Sequence, residues 1–242
     1  YKATQPFTEF TFPSKETTKE VFKLGTPIGF GIFIELSMFS GAAIILGILG
    51  ENIVASHTIA INVASLFFMV PLSVGLASAT RVGNLIGEGN YRQAKVASHS
   101  TIYMCILTAL LNVVLIMSFR ELIVGIYTTD EIVFNLAVYL LIFAAIFQLP
   151  DGIQMGALGS LRGYKDTFIP MILLFISYWI FAMPVGYYLT NTGFSSPMGA
   201  AGMWYGMIIG LSIFSILAVI RLHLIIKKYL KINSNQTELL QQ

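Results

Sequence analysis

The 242-residue sequence is 56% hydrophobic and only 11% charged, with a formal net charge of +2. A water-soluble domain carries about 25% charged residues, so this balance excludes an ordinary soluble fold and points to an all-α integral membrane protein. The one cysteine, Cys105, lies in an apolar run, which excludes an intrachain disulfide or a zinc cluster, and no nucleic-acid partner is expected.

The chain opens on Tyr1 rather than Met, so a fragment or a processed piece is the expectation. Residues 1–18 read as a polar connector with Pro6 and Pro13, and Ser14 or Thr18 is placed to cap the helix that follows. Six apolar runs come next: Leu24–Leu49, Ile53–Ala79, Val96–Phe119, Ile132–Leu161, Phe168–Leu189 and Met198–Ile220. Each reaches the roughly 20 residues that a bilayer-spanning helix needs. None alternates as the roughly ten-residue strands of a membrane barrel do. Residues 19–231 therefore form one six-helix transmembrane domain in contact with the lipid bilayer, and 232–242 a polar tail without structure.

Between the runs, Arg81–Lys95 reads as a loop or surface helix, Ser118–Glu131 as an outer loop, Ser160–Thr167 as a short inner turn and Thr190–Gly199 as an outer turn. If every run spans, Lys2, Lys15, Lys19, Lys23, Arg81, Arg92, Lys95, Arg162, Lys165, Arg221, Lys227, Lys228 and Lys231 share one side, and Arg120 stands alone on the other. Lys and Arg collect on the cytoplasmic side, so both termini and the 232–242 tail are expected there. Pro71, Pro150 and Pro184 each remove a backbone donor within or near a span, and the carbonyls they free need protein, water or an ion. Gly202, Gly206 and Gly210 recur every four residues in the last run, a packing face.

Two acids fall deep within spans, Glu35 and Asp151. Each costs about 2.5–3.5 kcal/mol to insert at a helix centre, and such residues mark function. Counting up from Lys23 and Arg162 at about 1.5 Å per residue, both lie roughly 16–18 Å above the inner boundary. That is the middle of a core about 30 Å thick. Two carboxylates at one level can share a proton or a Na⁺ ion. Gln148, Asp151 and Gln154 form a polar stripe, and Thr58, Asn62 and Ser65 a second one, both expected to face the bundle interior or a wet cavity. Phe33, Met38, Phe39 and Met155 are candidates to line a substrate cavity. An enzyme is not expected, since His57, His99 and His223 have no metal-like spacing.

FIELSMF around Glu35, the stretch AINVASLFFMVPLSVGLASATRVGNLIGEGNYRQA, and the pair FQLPDGIQ and GSLRGYKDT resemble the multidrug and toxic compound extrusion (MATE) transporters of the NorM type. The resemblance runs from about Leu24 to the last span and is to the second half of the family's pattern. It implies the C-terminal lobe of a twelve-helix protein in a bacterial inner membrane, partnered by a missing N-terminal six-helix lobe. It implies efflux of amphiphilic, often cationic drugs and dyes in exchange for Na⁺ or H⁺, with no cofactor. Glu35 and Asp151 match the family's cation-site acids, so these two would be the Na⁺ ligands if sodium is used. A tyrosine one turn before the aspartate contributes in some members; here that position is Phe147, which offers no oxygen and leaves Gln148, Gln154 or water to complete a shell. Asn62 is a further polar candidate, and Asp130, Phe147 and Met155 are possible substrate contacts. The alternative is a flippase for lipid-linked oligosaccharides of the same broad fold group. Such proteins line their cavity with Arg or Lys, and no basic residue is expected centrally here.

Overall fold

A computed structural model describes residues 14–193 and 196–240, with the backbone alone for 232–240. All regular structure among the described residues is helical: α1 (Lys15–Gly47), α2 (Glu51–Gly87), α3 (Tyr91–Tyr127), α4 (Glu131–Gly163), α5 (Phe168–Phe175), a π-helical segment (Ile176–Ala182), α6 (Met183–Asn191) and α7 (Ala200–Leu240). Six helices are long and apolar enough to cross a membrane, with Phe168–Asn191 counting as one. Side chains such as Leu107, Ile126 and Ile48 stand 69%, 79% and 82% exposed. That is the outer surface of a body solvated by lipid rather than water.

The helices overrun the apolar runs, and local chemistry explains where they stop. Of the expected connector, residues 1–13 lie outside the described residues, while 15–18 are the first turn of α1, capped by Ser14 accepting from the Thr17 N–H at 3.1 Å. Arg81–Lys95 is not a loop: only Glu88, Gly89 and Asn90 separate α2 from α3. Gly89 takes φ +72°, its N–H reaches the Ile86 carbonyl, and the Asn90 N–H reaches that of Leu85. This is a Schellman closure, and the Asn90 side chain then caps α3. Ser118–Tyr127 likewise stays helical rather than forming the expected outer loop. The polar turns of these helices project past the apolar core, where hydropathy no longer reports helix. Beyond Lys231, α7 continues as helix to Leu240 rather than ending in the expected unstructured tail.

Helix α4 is the axis of the domain. It packs most extensively on α2, then α3 and α7, and buries more of its residues than any other helix fully described. The α2–α4 crossing is set by glycine: a Cβ on Gly159 would sit 2.8 Å from the Gly75 Cα, and one on Gly75 2.8 Å from the Met155 carbonyl. Beside it, Thr101 donates to Ser78 at 2.9 Å, and the Ser78 and Ser160 hydroxyls lie 3.1 Å apart. The glycine face of α7 serves the same end. A Cβ on Gly202 would lie 2.7 Å from the Leu189 carbonyl, one on Gly206 2.6 Å from that of Ala182, and one on Gly210 2.7 Å from that of Ser177. Helix α1 is the outlier and packs mainly on α5.

The expectation that a proline carbonyl must find a partner is met at Pro71. Proline has no N–H for the Phe67 carbonyl one turn earlier, and the Asn112 amide of α3 donates to it at 2.9 Å. Asn112 also donates to Gln148 Oε1 at 3.2 Å, and Gln148 donates to the Ala64 carbonyl at 3.0 Å. One buried amide pair therefore ties α2, α3 and α4 beside Pro71. Asn112→Ala strands both the Phe67 carbonyl and Gln148 Oε1, at about 1–3 kcal/mol for each buried group left unpaired. A lowered melting temperature in detergent, read by size-exclusion after heating, is the expected result.

Candidate functional site

Glu35 sits on α1 and Asp151 on α4, and both line one cavity of about 470 Å³ enclosed by α1, α2 and α4. Its remaining wall is mostly apolar and aromatic, including Phe39, Phe68, Phe147 and Met155; Ser65 and Arg162 are the other polar lining residues. Asp151 is only 4% exposed. Among the described residues its carboxylate takes no hydrogen bond, so cavity solvent, a proton or a cation must satisfy it. Glu35 is better supplied: Oε1 accepts from the Gln154 amide at 3.0 Å, and Gln154 Oε1 in turn accepts from the Tyr178 hydroxyl at 2.8 Å.

The polar stripe of α4 divides its work by angle. Residues 148 and 154 are about 120° apart around a helix, with 151 between them. Gln148 accordingly turns toward α2 and α3, Gln154 toward α1 and the π segment, and Asp151 is left facing the cavity. The second expected stripe is less interior than its reading. Thr58 and Asn62 are exposed, and only Ser65 joins the cavity wall. They share a face with Met69, Leu72 and Leu76, so the stripe continues the cavity side of α2 beyond the enclosed part.

Among the candidate substrate contacts, Phe147, Phe39 and Met155 line the cavity. Met38 is fully buried in the packed core, and Phe33 is 66% exposed away from the lining. Asp130 is not at the cavity: its Oδ1 accepts from the Ile132 and Val133 N–H groups at 3.0 and 2.9 Å and caps α4. An aspartate directly before an apolar helix carries that signal in sequence.

Three polar contributors escape the sequence reading. Asn112 is a lone amide in an apolar run, the same anomaly that singles out Glu35. Tyr178 is fully buried inside the π segment just ahead of Pro184, and π turns concentrate at functional sites. Arg162, read from sequence as an inner-boundary marker, also lines the cavity. The turn after it is a second Schellman closure with Lys165 at φ +59°, where glycine is usual. It sets Asp166 against Arg221 of α7 at 2.7 Å and Lys165 against Glu20 of α1. Its hydrogen bond to the Glu20 carboxylate raises the Lys165 ammonium above its usual range.

Six apolar spans, three of which enclose an acid-bearing cavity, define a multi-pass membrane protein with an internal polar site. Residues 27–188 match the MatE family model. The chain is 42% identical over 220 residues to the multidrug resistance protein NorM of Vibrio vulnificus (strain YJ016), covering 90% of this chain and 48% of the relative. It is 39% identical over 223 residues to the multidrug resistance protein PmpM of Pseudomonas aeruginosa, covering 92% and 47%. Among solved structures, a MATE in the bent conformation superposes with a TM-score of 0.84 at 20% identity, over 93% of this chain and 49% of that one. The eukaryotic MATE transporter AtDTX14 gives 0.81 at 21%, over 91% and 50%. The chain belongs to the MATE family, a family of transporters rather than enzymes. It spans about half the length of the curated relatives it matches.

Proposed function

We propose that the chain supplies the C-terminal six-helix lobe of a twelve-helix antiporter in a bacterial inner membrane, with both its ends cytoplasmic. The antiporter exports amphiphilic, often cationic drugs and dyes in exchange for Na⁺ or H⁺ and uses no cofactor. The observation that carries this reading is the shared cavity: two carboxylates, one without a hydrogen-bond donor among the described residues, in a wall otherwise rich in aromatic and Met side chains. A dry, apolar wall suits the body of an amphiphile, and the acids suit a cation or a proton. The names of the NorM and PmpM relatives support multidrug substrates.

The exchange is written as competition. Glu35 and Asp151 hold either the coupling cation or the positive end of the substrate, and access alternates between the two loaded forms. A cation that contacts both acids in one state and fewer in the other supplies the difference in binding energy that shifts the equilibrium between them. The test is efflux of ethidium from vesicles holding the full-length transporter, with a Na⁺ pulse at fixed pH set against an acid pulse at fixed Na⁺. Acceleration by one pulse is expected and names the ion; no response to either defeats the reading.

Arg162 favours a second reading, the flippase, because a guanidinium suits a phosphate. The cavity's two acids outnumber it. The flippase predicts that loss of Arg162 abolishes transport while Glu35→Gln is tolerated, the reverse of the antiporter's pattern.

A further inference from the structure

Three basic side chains meet where α4 ends, α5 begins and α7 passes, and two of them are engaged. Lys165 pairs with Glu20, and Arg221 holds Asp166 through two hydrogen bonds of 2.7 and 3.3 Å. Arg162 forms no hydrogen bond among the described residues and is only partly exposed. A long basic side chain in the last turn of a membrane helix ordinarily snorkels outward to the headgroups. Arg162 instead lines the central cavity with Glu35 and Asp151. It also lines a second, narrow pocket of about 30 Å³ between α1, α4 and the start of α5, again with Glu35 and this time with Asp166. The guanidinium thus stands between two spaces that have one carboxylate in common.

A guanidinium stays charged whatever its surroundings. Two empty, ionised acids in a low-dielectric cavity are costly, and a fixed positive charge within reach offsets part of that cost. We propose that Arg162 is a built-in competitor for the coupling cation. With the cavity empty, it offsets part of the Glu35 charge through space: the two side chains border the same two spaces without forming a close ion pair among the described residues. A cation arriving between Glu35 and Asp151 displaces it toward the narrow pocket, where the Asp166 carboxylate, already shared with Arg221, receives it. Arg162 is a positioning residue: it keeps the acids from holding the cation so tightly that release becomes slow. This rests on Glu35 and Asp151 being the exchange pair.

The test measures ethidium efflux by the reconstituted full-length transporter across a Na⁺ titration at fixed pH and a pH titration at fixed Na⁺. Arg162→Gln is expected to lower the cation concentration for half-maximal exchange about fivefold to tenfold, within the usual range of coupling between sites, and to lower the maximal rate. Arg162→Lys keeps the charge and is expected to stay near the parent. Leu158, which lines the narrow pocket one turn earlier, offers the opposite change: Leu158→Lys adds a charge and is expected to raise the half-maximal concentration. It also carries the test if Arg162→Gln does not yield monodisperse protein. A parental half-maximal concentration in Arg162→Gln or in Leu158→Lys overturns the competitor role. So does an equal shift in Arg162→Gln and Arg162→Lys, since packing would then be the cause. If Glu35→Gln and Asp151→Asn transport normally in the same assay, the exchange-pair reading falls, and this inference with it.

Discussion

Glu35→Gln and Asp151→Asn will each reduce dye efflux to the level of cells lacking the transporter, while leaving the amount of membrane-inserted protein unchanged. The two variants remove charge and keep shape. Gln at position 35 can still accept from the Gln154 amide, so the Gln154–Tyr178 network that orients it survives. Asn at position 151 alters a side chain that takes no hydrogen bond among the described residues. Both also remove an ionisable group from an apolar cavity, which by itself favours folding. A fall in transport with unchanged expression therefore reports lost cation exchange rather than lost structure. Retained efflux in both variants would remove the mechanism, whatever the coupling ion.

The largest expected loss of stability lies elsewhere, at the crossing of α2 and α4. Gly159→Val would drive a branched side chain into the Gly75 backbone, and backbone cannot swing aside as a Met terminus can. Overpacking of this kind costs about 1–3 kcal/mol and sometimes more. Because α4 is the axis, the strain spreads to α3 and α7. The matched control is Gly25→Ala on α1, where an added Cβ meets nothing within 4 Å. Heating each protein in detergent and following the monodisperse fraction should show a marked drop in midpoint for the first variant and none for the second. Equal midpoints would mean that the crossing is looser than its glycine contacts indicate.

The six spans are legible in the sequence because burial in lipid demands long apolar runs and little else produces them. The ends of the helices are not, since the turns beyond the apolar core carry ordinary polar residues: Arg81–Gly87, Tyr91–Lys95 and Ser118–Tyr127 are helical without being hydrophobic. Glu35 and Asp151 announce themselves by charge in the wrong solvent. Gln148 and Gln154 follow from spacing, although spacing alone does not tell which flank each one serves. Tyr178 stays hidden because a tyrosine among aromatics is unremarkable, and no pattern of hydrophobicity marks a switch to i→i+5 pairing. Arg162 misleads because a basic residue in the last turn of a span reads as a boundary marker, and no pattern in the sequence tells that it also borders the cavity.

The loose seating of α1 carries a consequence of its own. Gly25, Gly29 and Gly31 leave one stretch of that rod without close neighbours, whereas α4 is wedged among three helices. One acid of the pair therefore rides on the least anchored element and the other on the firmest. If a small positive species lodges between them, as proposed, it would act as a removable rivet, and its coming and going would be expected to read out as the tilt of a single rod against a stiffer frame.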